Sequence, residues 1–421
     1  CVQQQPSLTT LKNDVLFLRS NDVDFYFIKN EGYFNRDGLY GMPNGDYADN
    51  LERFSYFNRR IFQLLKEINC QPDILHCHDW QTSLMPLYLK SHYRDDPFFQ
   101  KTKVVLTIHN LAYQGVFPRH KFAALELPPY LNSMQGLVYY GQMSLLKGGI
   151  LFSDWITTVS PQYAKEIQGR ECGRGLEGVV RLRAKEITGI LNGIDSSYWN
   201  PERDPLICEK YNSFDTTGKA RNKQILQEQS GLRVSNDIPV FGFVGRLSGQ
   251  KGLDIIAQAI DEMMRHDVQL ILQGVGEDRY EGMLRGFQRR FPGKVASHIK
   301  FEEALAHRIY AGSDIFVMPS TYEPCGLSQM ISFRYGTIPF VHHTGGLVDT
   351  VMPFYLHTKK GDGFVFTRFE RSAFLKALEL ALKVFQEKEL LSEISKRIMK
   401  YDFSWIASAM EYKKLYQKCL S

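Results

Sequence analysis

Several places in this sequence put chemically active side chains where a short apolar run gives way to glycine or to a helix start. The first is Gly245-Arg246-Leu247-Ser248-Gly249-Gln250-Lys251-Gly252, two cations five residues apart on a glycine-rich turn. Pliable backbone carrying two positive side chains ahead of a helix makes an anion site, and a diphosphate fits it. It is not a P-loop, because no Ser or Thr follows Lys251. The second is Pro319-Ser320-Thr321-Tyr322-Glu323-Pro324-Cys325-Gly326-Leu327-Ser328, with one carboxylate stiffened by a proline. The amides of Cys325, Gly326 and Leu327 would open a helix there, suited to sugar hydroxyls or phosphate oxygens. Cys325 has no general base paired with it in sequence and is not read as a nucleophile. A third turn, Thr344-Gly345-Gly346-Leu347, offers further amides.

The other chemistry-bearing segments lie earlier. His76-Cys77-His78-Asp79-Trp80 and Thr107-Ile108-His109-Asn110 each end an apolar run in polar residues. Trp80 and Tyr113 could stack on the apolar face of a sugar or equally belong to the core. No second ligand pair stands at finger or ribbon spacing from His76-Cys77-His78, so no metal is expected. In Leu191-Asn192-Gly193-Ile194-Asp195 the glycine permits a tight turn and Asn192 can extend an amide. Gln273-Gly274-Val275-Gly276-Glu277 has Arg279 where a dinucleotide fingerprint needs its third glycine, so no nicotinamide cofactor is indicated.

Positioning these groups needs alternating elements. The first half reads as strands over 14–18, 23–28, 73–76, 103–108, 154–159 and 187–192, with helices over 51–68, 80–92, 142–152 and 161–168 and an irregular stretch over 110–139. The second half reads as strands over 239–244, 268–273, 296–301, 314–318, 338–341 and 363–366, with helices over 252–265, 277–290, 303–312, 326–335 and 370–386. Continuous β-branched strands alternating with helices imply parallel sheets covered on both faces. The polar stretch 200–236 reads as the connection between two series. The expected α/β architecture is therefore two facing Rossmann-like, doubly wound domains with ligands in a central cleft. The first would span 1–195 plus a C-terminal helix over 404–421, and the second 196–403.

Composition bounds the answer. The chain has 421 residues, 43% apolar and 13% aromatic, enough for two cores. Its formal charge of +5 is dispersed, which gives no nucleic-acid or membrane signature. Seven scattered cysteines argue against a disulfide framework and for a reducing compartment.

The strings HCHDWQ, TIHNLAYQGVF, LKGGILFSDWITTVSPQYAKEI, GILNGIDSSYWNPERD, GRLSGQKGLDII, AHRIYAGSDIFVMPSTYEPCGLSQM, YGTIPFVHHTGGLVDTV and DFSW run in order from about residue 70 to 405. Together they resemble the bacterial glycogen synthases and plant starch synthases. The resemblance implies the GT-B fold and transfer of glucose from ADP-glucose to the non-reducing end of an α-1,4-glucan (glycogen or starch) with retention of configuration. It implies no cofactor and no metal. Arg246 and Lys251 would bind the donor diphosphate, and Glu323 would sit at the donor glucose. Cys325, Gly326, Leu327 and Ser328, the Thr344–Gly346 turn, Gly245 and Asn192 would complete the donor site, with Phe301 near the adenine. His109 and Asp79 would lie near the reacting centre, and Trp80 and Tyr113 towards the acceptor. No paired carboxylate suggests a double displacement, so a front-side route is expected. Localisation would be cytoplasmic in a bacterium and plastidic in a plant or alga; no oligomeric state is legible.

Two departures from the family pattern bear on this. The family's opening lysine–x–glycine–glycine–leucine loop has no counterpart, so the first domain is expected to be N-terminally incomplete here; a complete molecule lacking the loop would be expected to have low stability and little activity. Phe301 stands where the family often has Tyr. Two rival readings are another retaining GT-B enzyme, such as a sucrose- or trehalose-related glucosyltransferase or one that uses UDP-glucose, and a truncated, glucan-binding or inactive paralogue.

Overall fold

The computed structural model describes residues 8–12, 14–42 and 45–421. The chain divides into two compact units, the first formed by 1–157, 173–187 and 419–421, the second by 158–172 and 188–418. The helix Trp405–Leu420 thus belongs almost entirely to the second unit.

The first unit opens on an antiparallel meander, Thr9–Lys12, Val15–Ser20 and Val23–Ile28. Behind it the helix Asn50–Glu67 buries Leu51, Phe62 and Leu64. Its parallel sheet runs Trp155–Thr158, Lys103–Ile108, Ile74–His78, and the chain passes to the second unit through Ile187–Gly189. Lys103–Ile108 is the fully buried kind of strand, with Val104, Val105, Leu106 and Ile108 all enclosed. The pairing register sets His76 opposite Val105 and His78 opposite Thr107. One residue further on, the two polar strand ends meet.

The second unit holds six parallel strands in the spatial order Val295–His298, Gln269–Gln273, Val240–Val244, Ile315–Met318, Ile338–His342, Phe364–Phe366. Counted along the chain this is 3-2-1-4-5-6, the doubly wound order whose switch point lies between strands one and four. Those strands are Val240–Val244 and Ile315–Met318, the two that feed the Arg246–Lys251 and Ser320–Glu323 loops. Ligands of such sheets sit outside the carboxyl ends at that point, so topology alone draws the two loops together.

Several expectations need correcting. The stretch 200–236 carries the helix Thr217–Gln229, where only a connection was expected. Apolar periodicity could not reveal it, because the residues it buries are Asn222, Lys223, Leu226 and Gln227, three of them polar. A second unforeseen helix is Lys388–Ile398. The 110–139 stretch is partly ordered: Val116–Pro118 and Val138–Tyr139 both pair with Gln142–Ser144. Those last residues are therefore strand, and the following helix starts at Leu145, with Ser144 Oγ accepting from Lys147 N at 3.1 Å. The expected helix 80–92 is a 3₁₀ turn, Trp80–Thr82, followed by a helix from Met85.

The six described cysteines are free; Cys70 and Cys208 are exposed, whereas Cys77 and Cys325 are buried. Among the described residues no helix is long and apolar enough to cross a membrane.

Candidate active site

In the second unit the loops at the switch point join through an ion pair. Lys251 Nζ lies 2.7 Å from Glu323 Oε2, and Ser320 Oγ donates to the same oxygen at 2.8 Å. Glu323 is only 6% exposed. A carboxylate so enclosed needs these donors, and they fix its position. Ser320 is held in turn, because His342 Nδ1 lies 2.7 Å from its carbonyl oxygen. Burial keeps His342 below the usual imidazole range.

Glycines let these loops approach. Gly252 has φ of 68°, and a Cβ there would stand 1.8 Å from the Pro319 carbonyl oxygen. Gly345, with φ of 48°, would meet the Glu323 carbonyl oxygen at 1.9 Å. No side chain fits either place, so the glycines are what bring the Lys251, Glu323 and Thr344 loops into contact. The Gly346 amide donates to the Glu323 carbonyl at 2.9 Å, and the Gly345 amide to Glu166 Oε1 at 3.0 Å. The Cys325–Leu327 turn is braced by Gln329, whose Nε2 donates to the Cys325 and Gly326 carbonyls. The first bond of the following helix runs from Ile331 N to Leu327 O, which leaves the preceding amides ahead of the ladder. Arg246 is exposed on its turn beside Gly245, and Ser248 Oγ in the same turn is buried with no hydrogen-bond partner.

Asn192 also falls in this unit. Its backbone N–H donates to the Cys325 sulfur, while its side-chain Oδ1 is buried without a partner. Ile194 N donates to Phe403 O at 2.8 Å, and a Cβ on Gly193 would stand 2.4 Å from Trp405 N. The Asp402–Trp405 segment therefore clamps the Asn192 turn. Burial pushes the Cys325 thiol up to about 12, which disqualifies it as a nucleophile at neutral pH. Phe301 is 88% exposed.

In the first unit the strand ends place Asp79 against His109, whose amide donates to Asp79 Oδ1 at 2.7 Å. Asp79 has φ of 54° and ψ of −168°, close to a region that otherwise only glycine favours. Burial pushes its carboxyl up to about 6, against the pull of the His109 and Asn110 amides. His78 Nδ1 lies 3.0 Å from His109 Nε2, and His76 Nε2 lies 2.6 Å from Thr107 Oγ1. Burial lowers all three imidazoles, His76 to about 3, so His109 is neutral at pH 7. Among the described residues no group of three or more His, Cys, Asp or Glu side chains could hold a metal ion.

Trp80 is 8% exposed, edge-on to Phe54 with ring centres 4.9 Å apart and 5.7 Å from Phe117. It lines a cavity of about 630 Å³ with Tyr47, Tyr113, Phe117, Tyr139 and Arg174. Gly115, at φ of 58°, packs on the indole so tightly that a Cβ would meet Trp80 Cε3 at 2.6 Å. An aromatic-walled trough with polar edges suits the alternating apolar faces and hydroxyl rims of sugar rings.

The motif strings pointed to Lys251, Glu323, Asp79 and His109. The residues that brace Glu323 and its loops, Ser320, His342 and Gln329, are not singled out by the sequence reading. Ser320 stood three residues before Glu323 in the same string and was the one with a local signal.

Two Rossmann-like units, with a cation–carboxylate pair at the switch point of the second, define a glycosyltransferase of the GT-B fold. A model described as starch synthase catalytic domain matches residues 2–182, and one described as glycosyl transferases group 1 matches residues 226–398. Glycogen synthase of Desulforamulus reducens is 47% identical over 404 residues, covering 96% of this chain and 83% of that one. Glycogen synthase of Thermotoga maritima is 45% identical over 427 residues, with 100% and 87% covered. The catalytic domain of starch synthase IV from Arabidopsis thaliana, solved bound to ADP and acarbose, superposes with a TM-score of 0.88 at 34% identity, over 96% of this chain and 84% of that one. Sucrose-phosphate synthase from Thermosynechococcus elongatus, at 18% identity and a TM-score of 0.61 over 97% and 86%, shares the fold. The chain belongs to the glycogen synthase family, and it is a glucosyltransferase that extends glycogen or starch.

Proposed function

We propose that the Lys251–Glu323 pair is the donor end of a site for ADP-glucose, from which glucose passes to the non-reducing end of an α-1,4-glucan with retention. The observation that carries this reading is a buried carboxylate and a half-buried ammonium, 2.7 Å apart at the sheet's switch point. ADP in the starch synthase IV structure supports the nucleotide, and acarbose there supports a glucan-like ligand.

Arg246 and Lys251 face the diphosphate and stabilise its charge as it leaves, an electrostatic contribution realised mostly in the transition state. Lys251 then divides its donors between phosphate and Glu323. Glu323 accepts from the glucose hydroxyls, and the Cys325–Ser328 backbone and the unpartnered Asn192 Oδ1 hold the remainder. Gly245 and the Thr344–Gly346 turn border the phosphates, and Phe301 offers a ring to the adenine. The neutral His109 donates or accepts at the sugar, with Asp79 beside the reacting centre. Trp80 and Tyr113 stack on the acceptor. No step calls for a metal or a resident cofactor. The bacterial sources of the matching glycogen synthases support a cytoplasmic rather than a plastidic setting.

Mixing the intact protein with ADP-glucose and glycogen is expected to release ADP and lengthen outer chains, with UDP-glucose a poorer donor. Glu323→Gln, which keeps the side chain's shape, is expected to lower kcat by about 100-fold or more with a small change in Tm. Failure to release ADP from a folded protein would sink the proposal, and equal use of both donors would sink its choice of nucleotide.

A further inference from the structure

At the opposite edge of the second unit's sheet, below the amino ends of the strands, lies a separate cavity of about 200 Å³. Asp314 and Ile338, at the starts of two central strands, form its floor. Lys219 and Lys223 reach it from the helix Thr217–Gln229, and Phe385 and Lys388 from the two helices that follow the sheet. Three ammonium groups thus share a pocket with one carboxylate.

The lysines' contacts leave that imbalance standing. Lys223 Nζ pairs with Asp314 at 2.8 Å and donates to the Asn236 carbonyl at 3.1 Å. Lys219 Nζ has only neutral acceptors: the Ala311 and Tyr335 carbonyls at 3.0 and 3.1 Å, Thr337 Oγ1 at 2.6 Å and the Tyr310 carbonyl at 3.4 Å. Lys388 Nζ stands 3.6 Å from the centre of the Phe385 ring, and Lys223 Nζ lies 4.8 Å from the same ring. Lys388 Nζ also donates to the Asn236 carbonyl at 3.4 Å, and the carboxylate it pairs with is Asp237, 3.9 Å away and itself 90% exposed. Burial lowers both of the other lysines, Lys219 to about 7; at Lys219 the Asp314 carboxylate opposes the shift by more than the Lys223 charge adds, whereas at Lys388 the Lys223 charge is the larger of the two. Three ammonium groups lining one pocket with a single carboxylate leave an excess of positive charge that an anion relieves.

We propose that this cavity is a second ligand site, distinct from the donor site, that takes a small dianionic phosphate compound. The positive charges left over when Lys219 is protonated match a dianion, and tetrahedral oxygens can bridge Lys223 and Lys388 at once. Phe385 and Ile338 give an apolar wall for a short carbon tail. The volume lies below the roughly 300–1,000 Å³ of a drug-sized pocket, which excludes a nucleotide sugar.

The test is thermal melting of the full chain in chloride-matched buffer with millimolar inorganic phosphate or glycerol phosphate. Phosphate is expected to raise Tm by about 2–4 °C. The shift should persist in Arg246→Ala, which weakens the diphosphate turn, and vanish in Lys388→Gln. Ala220→Phe, which plugs the mouth from an exposed helix position, should abolish it as well. A larger shift with glycerol phosphate assigns an esterified ligand, and an equal one assigns free phosphate. No shift in the wild type, an undiminished shift in both pocket variants, or its loss in Arg246→Ala would overturn the proposal.

Discussion

Asp79 holds a strained backbone and a carboxyl raised to about 6 at one strand end. A folded-state pKa above the ordinary value means that the native chain binds the proton more tightly than the unfolded one. That contribution is complete below about pH 4, the ordinary carboxylate value, and is lost as pH rises through 6. Asp79→Asn is therefore expected to stabilise the protein by about 1–3 kcal/mol at pH 7.5 and hardly at all at pH 4, while glucosyl transfer falls. Calorimetric melts at the two pH values check the sign. Ser320 gives a second prediction. Ser320→Ala leaves Glu323 with Lys251 alone and should cost about 1 kcal/mol of stability, with kcat falling more than KM rises; steady-state kinetics beside a urea titration separate the two. Residue types carried much of this into the sequence: a lone glutamate locked by proline and two cations on a glycine turn can be read directly. The unpaired Asn192 Oδ1 and Ser248 Oγ could not, because solvent access depends on packing from distant segments.

Glycines set how closely loops approach, and so govern the site at the level of elements. Gly252→Ala must force a Cβ against the Pro319 carbonyl and hold a left-handed φ. We expect a loss of about 2–4 kcal/mol from strain and overpacking together, seen as a lower urea midpoint, with activity falling further as Lys251 and Glu323 separate. Gly115→Ala acts on the other unit: it displaces the Trp80 indole, so KM for glucan should rise while KM for the nucleotide sugar holds. The sheets were legible because buried parallel strands read as continuous apolar runs; Val240–Val244 and Ile315–Met318 were placed to within a residue or two. The helix Thr217–Gln229 was not, because its inner face speaks in hydrogen bonds. Asn222 Nδ2 donates to the Glu209 and Gly218 carbonyls, and Gln227 Nε2 to Ser235 O and Gln269 Oε1. Periodicity counts apolar residues and is blind to such a face.

For the whole molecule, the segment after Asn192 is tied to the second unit by a buried polar knot. Asp204 Oδ2 accepts from Tyr335 OH at 2.5 Å and lies 2.7 Å from His307 Nδ1, with the His307 ring stacked 4.1 Å from Trp199. Burial would raise Asp204, but the His307 and Tyr335 hydrogen bonds outweigh it and hold the carboxyl below its ordinary range. Its stabilisation is present above about pH 4 and drains away as pH falls through the depressed value. Asp204→Ala, which orphans both partners, should cost about 3–5 kcal/mol near neutrality, read as an earlier chemical-denaturation midpoint.

The distribution of thiols has a practical consequence. Cys77 and Cys325 are enclosed and both pushed up to about 12, whereas Cys70 in the first unit and Cys208 in the second face solvent. Brief treatment with a maleimide dye should favour the outer pair and spare the two enclosed thiols. Among the described cysteines Cys70 and Cys208 are the exposed ones, so a dye attached to either reports on the surroundings of its own unit without an engineered cysteine.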